Sequence, residues 1–290
     1  MSSVKKFLEK YRVAGFFVLT CLISWSGLLI VLGIDGFLGK TPATGAQLPF
    51  MFLAMYAGPV VASLLMTLVT GGTAGLRQMF SGLLRWRVNI RWYLIALLAA
   101  PVLTLATQLG LSLISPGFFP GAGYLAESFS TGITVTLLII GMVSGILTGF
   151  CEELGWTGFA TPGLRSRFGI LPAGMIIGLV WGLWHFPLFL ERDPAGVVPY
   201  VLLIAVRLFT HLPAFRVLMG WVYDRTGSLL IAILMHGSLT ACAMLVQPRE
   251  ATQINALVVN LGFTVLSWLV IALVTGTAKK RLPLRVKGLA

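Results

Sequence analysis

The chain has 290 residues, of which 57% are hydrophobic and only 10% charged, and its mean hydropathy is +0.93. A soluble domain carries about 25% charged residues, so an ordinary soluble fold is excluded. The net charge of +12 sits beside apolar runs rather than on one face of a polar domain, which excludes a nucleic-acid-binding module. What remains is an all-α, polytopic membrane protein, expected as a single integral-membrane domain over residues 1–290, because no polar stretch is long enough to fold separately.

Several apolar runs exceed the roughly 20 residues that cross a bilayer as a helix. The first span is expected at 13–34, behind Lys5, Lys6, Lys10 and Arg12; its apolar run is too long for a signal-peptide core, so it is read as retained. The second, 49–70, leads into a basic loop, 71–91, with Arg77, Arg85, Arg87 and Arg91. Within that loop, residues 76–86 form an amphipathic piece suited to a helix on the membrane surface. The third span is expected at 92–114, followed by a Pro/Gly-rich loop at 115–127. The fourth starts near Thr131, and Pro162-Gly163 is expected to break its helix. The fifth covers 172–190 and ends in a polar turn at 191–194. The sixth, 197–222, holds Arg207 and His211, and Asp224-Arg225-Thr226-Gly227 reads as a tight turn. The seventh and eighth cover 228–246 and 254–275, followed by Lys279, Lys280, Arg281, Arg285 and Lys287.

About eight helices with basic residues gathered on one side put both termini in the cytoplasm, together with Arg165, Arg167, Arg216 and Arg225. The expected location is a bacterial cell membrane, with the lipid bilayer as the surrounding partner. Cys21, Cys151 and Cys242 lie in or beside apolar runs without metal-type spacing and are expected as buried free thiols. No repeat of 20–50 residues occurs.

The chemistry concentrates in residues 150–159. Glu152 and Glu153, two of only nine acidic residues, follow an uncharged stretch from Gly132 to Cys151. A carboxylate at membrane depth needs a partner or a task. Two of the three histidines, His185 and His236, lie in later apolar runs. On ideal helices, Glu152 stands about 15 Å above Pro162, His185 about 20 Å above Pro172 and His236 about 12 Å above Ser228. Three helices can therefore bring them to one depth, where a carboxylate and imidazoles could activate water. Against this stands a bland reading, in which the glutamates and histidines only join helices through hydrogen bonds.

These segments resemble the CPBP, or ABI, family: CAAX proteases and bacteriocin-processing proteins that include the type II CAAX prenyl endopeptidases. The family's motifs EExxxR, FxxxH and HxxxN are matched by Glu152-Glu153-Leu154-Gly155-Trp156-Thr157, by Trp181-Gly182-Leu183-Trp184-His185 and by His236-Gly237-Ser238-Leu239-Thr240. The resemblance covers about 132–246 and implies a CAAX-protease-like bundle with an intramembrane endopeptidase core. It implies that Glu152 activates water, that His185 is its partner, that His236 and Thr240 serve the oxyanion, and that Glu153 supports them. Trp181 keeps an aromatic where phenylalanine is usual. Thr157 replaces the motif's arginine, and Thr240 its asparagine.

The implied substrate is a membrane-embedded or lipid-anchored peptide or protein. No cofactor is favoured. Zinc held by Glu152, His185 and His236 is the competing reading, but no His-Glu-x-x-His pair is present. Two other functions compete: a catalytically silent protein of this fold that binds a peptide or membrane partner, and a proton-relay transporter, for which no inverted repeat is seen. Because Thr157 is neutral, a cation for the two carboxylates is expected from elsewhere. Arg207, inside the sixth span, is expected to pair with Glu153 or Glu152.

Overall fold

The computed structural model describes residues 9–118, 133–190, 197–250 and 252–276. In hydrocarbon every backbone N–H and C=O must be satisfied within the segment, and helices do this without an edge. Among the described residues there is no strand, and eight helical rods form: α1 Arg12–Phe37, α2 Leu48–Ser81, α3 Ile90–Ser112, α4 Ile133–Gly155, α5 Ile170–His185, α6 Val197–Thr226, α7 Leu229–Leu245 and α8 Gln253–Gly276. Six are long and apolar enough to cross a membrane: α1, α2, α3, α5 with its extension to Phe189, α6 and α8. At 17 residues α7 is a shorter apolar helix, and α4 is not among the six. The chain is thus an all-α polytopic bundle, with leucines, isoleucines and valines such as Ile30, Val102 and Val201 exposed on its outer faces.

Glycines four residues apart set the packing of the helices that carry the chemistry. A Cβ on Gly149 would lie 2.4 Å from the carbonyl oxygen of Ile233, and one on Gly145 would lie 2.4 Å from that of Gly237, so α4 and α7 touch backbone to backbone. The same spacing recurs at Gly174, Gly178 and Gly182 on α5, where added Cβ atoms would meet Val217, Pro213 and Leu208 of α6. Without a hydrophobic drive between helices in lipid, this close approach is what lets dispersion and polar contacts hold them. The large side chains Trp156, Trp181, Trp184 and Phe215 fill the space between these two pairs.

Several boundaries differ from the sequence expectation. Pro162-Gly163 does not stop the helix carrying the glutamates. After α4 the chain makes a π-turn, Trp156–Ala160, and continues as Thr161–Arg165. Pro162 falls in the first turn of that piece, where its missing N–H has no helical partner to lose. Arg165 is consequently buried rather than in a surface loop, and it donates to Asp224 at the end of α6, Nε to Oδ1 at 2.9 Å and Nη2 to Oδ2 at 2.5 Å. The expected surface helix at 76–86 is largely the tail of α2, which runs to Ser81 after a kink at Gly72, whose φ of 60° only glycine adopts easily.

The expected turn at 224–227 forms as a helix end. Gly227 closes α6 with φ 57° and its N–H bonds the Tyr223 carbonyl at 2.7 Å. Cys21 and Cys151 are half-buried and Cys242 buried, all as free thiols. The expected turn at 191–194, most of the loop at 115–127, Lys5, Lys6 and the basic residues from Lys279 onward lie outside the described residues.

Candidate active site

Glu152 and Glu153 close the last turn of α4, with 2% and 0% of their surface exposed. Adjacent helical residues point about 100° apart, and the two carboxylates accordingly meet different neighbours. Glu153 points into the bundle. Arg216 of α6, 1% exposed, donates from Nη1 to Glu153 Oε1 at 2.7 Å and to Oε2 at 2.9 Å. Thr157 Oγ1 donates to Glu153 Oε2 and accepts from Arg216 Nη2 at 2.8 Å. His236 of α7 completes the shell, its Nδ1 2.7 Å from Glu153 Oε1. A carboxylate paired with a guanidinium only accepts, so His236 carries its proton on Nδ1.

Glu152 faces a cavity of about 580 Å³ instead. Its Oε2 accepts from two indoles, Trp181 Nε1 at 2.7 Å and Trp156 Nε1 at 3.3 Å. Among the described residues no donor reaches Oε1. The other nitrogen of His236, Nε2, lies 3.9 Å from Glu152 Oε2. His185, at the C-terminal end of α5, lines the same cavity. Its Nδ1 lies 2.8 Å from the Trp181 carbonyl, which fixes the proton on Nδ1 and leaves Nε2 as the basic nitrogen. Its ring meets Trp184 edge-on at 4.6 Å. Thr240, one turn beyond His236, also lines the cavity.

Glu152, His185, His236 and Thr240 therefore come to one space, while Glu153 and Thr157 stand behind it with Arg216. Arg207 does not join them. Its guanidinium sits over the Phe189 ring at 5.4 Å, elsewhere on the cavity wall, and it makes no ion pair with Glu152 or Glu153. The expected pairing of Arg207 with a glutamate is thus corrected: the cation is Arg216. The physical reason is the length of α6. This 30-residue rod continues to Thr226, so Arg216 lies about 15 Å above its end, inside the bundle rather than at the cytoplasmic surface.

The zinc reading can be tested on the same geometry. Among the described residues no three His, Cys, Asp or Glu side chains gather closely enough to hold a metal ion. One Glu152 oxygen is already engaged by two indoles. As arranged, Glu152, His185 and His236 do not fit a ligand set, and no step below runs through a metal.

Two comparisons bear on this arrangement. Residues 134–242 match the family model described as Type II CAAX prenyl endopeptidase Rce1-like. A CAAX prenyl protease 2 from Methanococcus maripaludis is 28% identical over 112 residues, which is 38% of this chain and 40% of that protein. Over these residues the chain is similar to the CAAX protease family. The match spans well under two thirds of the relative's length, and the helices α1, α2, α3 and α8 lie outside the residues that the family model matches.

Against the family's motifs, the similar core here has its arginine elsewhere. The position that would supply it is Thr157, and the guanidinium instead comes from Arg216 on another helix, with Thr157 bridging it to Glu153. Sequence reasoning missed Arg216 by counting it with the cytoplasmic residues although it lies within the expected sixth span, 197–222. Trp156, to which no motif assigns a role, donates to Glu152. One signal was available for the second: Trp156 and Thr157 each follow a glutamate by four residues, the spacing at which helical side chains meet.

Proposed function

We propose that this chain is an intramembrane endopeptidase that hydrolyses a peptide bond of a membrane-associated substrate, of prenylated or leader type, with water activated by Glu152. The observation that supports this most is the asymmetry of Glu152: one oxygen is held by two indole N–H groups, and the other is left without a protein donor on the wall of a cavity shared with His185 and His236. A carboxylate held this way is oriented without being neutralised, which suits a general base.

In this reading Glu152 Oε1 takes a proton from a water in the cavity as its oxygen bonds to the scissile carbonyl carbon. The developing oxyanion receives hydrogen bonds from Thr240 and, in its imidazolium form, from His236 Nε2. The C–N bond then breaks, and the proton passes from Glu152 to the leaving amine. Nε2 of His185 accepts a hydrogen bond from the water and holds it. Glu153 and Arg216 act one step back, by fixing the ring of His236. The favoured mechanism involves no metal and no cofactor.

A catalytically silent relative of the same fold would rest on the Thr157 and Thr240 departures. Arg216 restores the missing charge and Thr240 keeps a hydroxyl on the cavity, so the hydrolytic reading is preferred. The basic loop at 82–89 is assigned to the cytoplasmic side by the positive-inside rule. A reporter fused after Gly75 reads that side, and an exterior signal there overturns the orientation. The decisive experiment for function incubates the purified chain in bilayers with farnesylated CAAX-type peptides and with leader peptides. Cleavage by the unaltered chain and none by a folded Glu152→Gln variant is the expected result; equal cleavage by both removes Glu152 from the mechanism.

A further inference from the structure

The cavity has a second polar region that hydrolysis does not use. Gln108 of α3 is fully buried, lines the cavity, and neither its Oε1 nor its Nε2 has a hydrogen-bond partner. Both buried amide atoms of one side chain left unpaired is rare, because each such group is costly away from water. His211 of α6 lines the same cavity with its buried Nδ1 also unpartnered, its ring stacked on Phe263 at 4.1 Å. Arg207 lines it as well, and among the described residues no carboxylate stands within ion-pair distance of it. A π-turn, Arg207–His211, joins the two α6 residues; such turns recur at functional sites. Phe189, Leu212, Val259 and Asn260 also line the cavity.

A cation, an unpaired amide and an unpaired imidazole nitrogen around one apolar space match a ligand that carries a single anionic, hydrogen-bond-accepting group on an apolar body. A bidentate acceptor satisfies a guanidinium and an amide N–H together. A phosphate-sized charge would want more cations than the one present here, whereas one carboxylate balances one arginine.

We infer that Arg207, His211 and Gln108 form a carboxylate-binding subsite in the same cavity as Glu152, and that it anchors the acidic group of the substrate. This rests on the endopeptidase reading only for the word substrate; the subsite itself stands on the unpaired groups.

The test measures thermal unfolding of the full chain in lipid nanodiscs with dodecanoate or with dodecanol. Dodecanoate is expected to stabilise the chain more than the alcohol does, with apparent affinity about tenfold or more greater, the size of a charge-assisted hydrogen bond. Arg207→Met is expected to erase that difference and Arg207→Lys to keep part of it. Gln108→Leu, which removes both unpaired atoms, provides the same reading if Arg207→Met does not fold. Equal stabilisation by the acid and the alcohol overturns the subsite, as does a preference for the acid that survives both Arg207→Met and Gln108→Leu.

The source of the carboxylate is read with a Glu152→Gln chain and a farnesylated peptide offered as free acid, as C-terminal amide, and as amide with a terminal aspartate. Preference for the free acid alone assigns a chain terminus, and equal binding of the aspartyl amide assigns an acidic side chain. Preference for dodecanoate with none among the peptides assigns a lipid-borne acid. Cleavage by the unaltered chain, with no carboxylate preference in the Glu152→Gln chain, retains the endopeptidase and removes the subsite. Carboxylate preference with no cleavage by the unaltered chain does the reverse.

Discussion

Arg216 donates to both oxygens of Glu153 from a single nitrogen, at 2.7 and 2.9 Å, and the pair is almost wholly out of solvent. Since Glu153 also accepts from His236 Nδ1, the ion pair sets the ring that faces Glu152. Charge on α6 is thereby tied to the orientation of an imidazole on α7.

Removing either member of this pair leaves a buried charge without compensation. Arg216→Met and Glu153→Gln are each expected to destabilise the fold by about 3–5 kcal/mol. The double variant is expected to be better folded than the worse single one, because the uncompensated charge is gone. Folded yield and thermal unfolding in nanodiscs measure this; strictly additive losses show that the two residues are not coupled. Arg207→Met, by contrast, is expected to leave stability nearly unchanged, since Arg207 makes no ion pair with the glutamates.

The membrane character, the helical class and the glutamate and histidine positions were legible from periodicity and from rare charges in apolar runs. The identity of the cation was not. Arg207 and Arg216 both sit on α6, and choosing between them required the end of that helix to within two turns. Asp224 and Gly227 suggested an early exit to solvent, yet the helix runs to Thr226 and Asp224 is covered by Arg165. Pro162 misled for a related reason: a proline stops a helix in its interior but is tolerated in a first turn, and the π-turn at Trp156–Ala160 starts a new one. The glycine rows at 145–149 and 174–182 were visible as a spacing, but which helix each row faces follows only from the packing.

Trp181 offers a test of the indole cradle. It stands where the family has phenylalanine, and its Nε1 donates to Glu152 Oε2 at 2.7 Å. Trp181→Phe keeps an aromatic ring and deletes this donor. A hydrogen bond to a charged group contributes about 1.5–3 kcal/mol, so turnover is expected to fall about ten- to a hundredfold with the fold intact. Cleavage rates beside an unfolding curve check this. Unchanged turnover means that Trp156 alone suffices to orient Glu152.

Metal dependence separates two mechanisms that share these residues. With water activated by Glu152, cleavage by the purified chain is expected to survive EDTA and phenanthroline. Loss of activity on chelation, restored by stoichiometric zinc, would show that Glu152, His185 and His236 rearrange into the three-ligand set of a catalytic zinc site.

The glycine row on α5 makes the sharpest packing prediction. A Cβ at Gly182 would lie 1.9 Å from the Leu208 carbonyl oxygen, inside the π-turn that joins Arg207 to His211, whereas a Cβ at Gly220 on α6 would meet nothing within 4 Å. Gly182→Ala must push α6 away from α5, and overpacking of this kind costs about 1–3 kcal/mol. Gly220→Ala gains helix propensity of about 1 kcal/mol and displaces nothing. Unfolding temperatures should therefore move in opposite directions, down for Gly182→Ala and level or up for Gly220→Ala. The displaced backbone at Leu208 also carries Arg207, so Gly182→Ala is expected to weaken dodecanoate binding while Gly220→Ala leaves it unchanged. If Gly182→Ala is neutral on both measures, the α5–α6 contact is looser than backbone touching backbone, and the subsite does not depend on it.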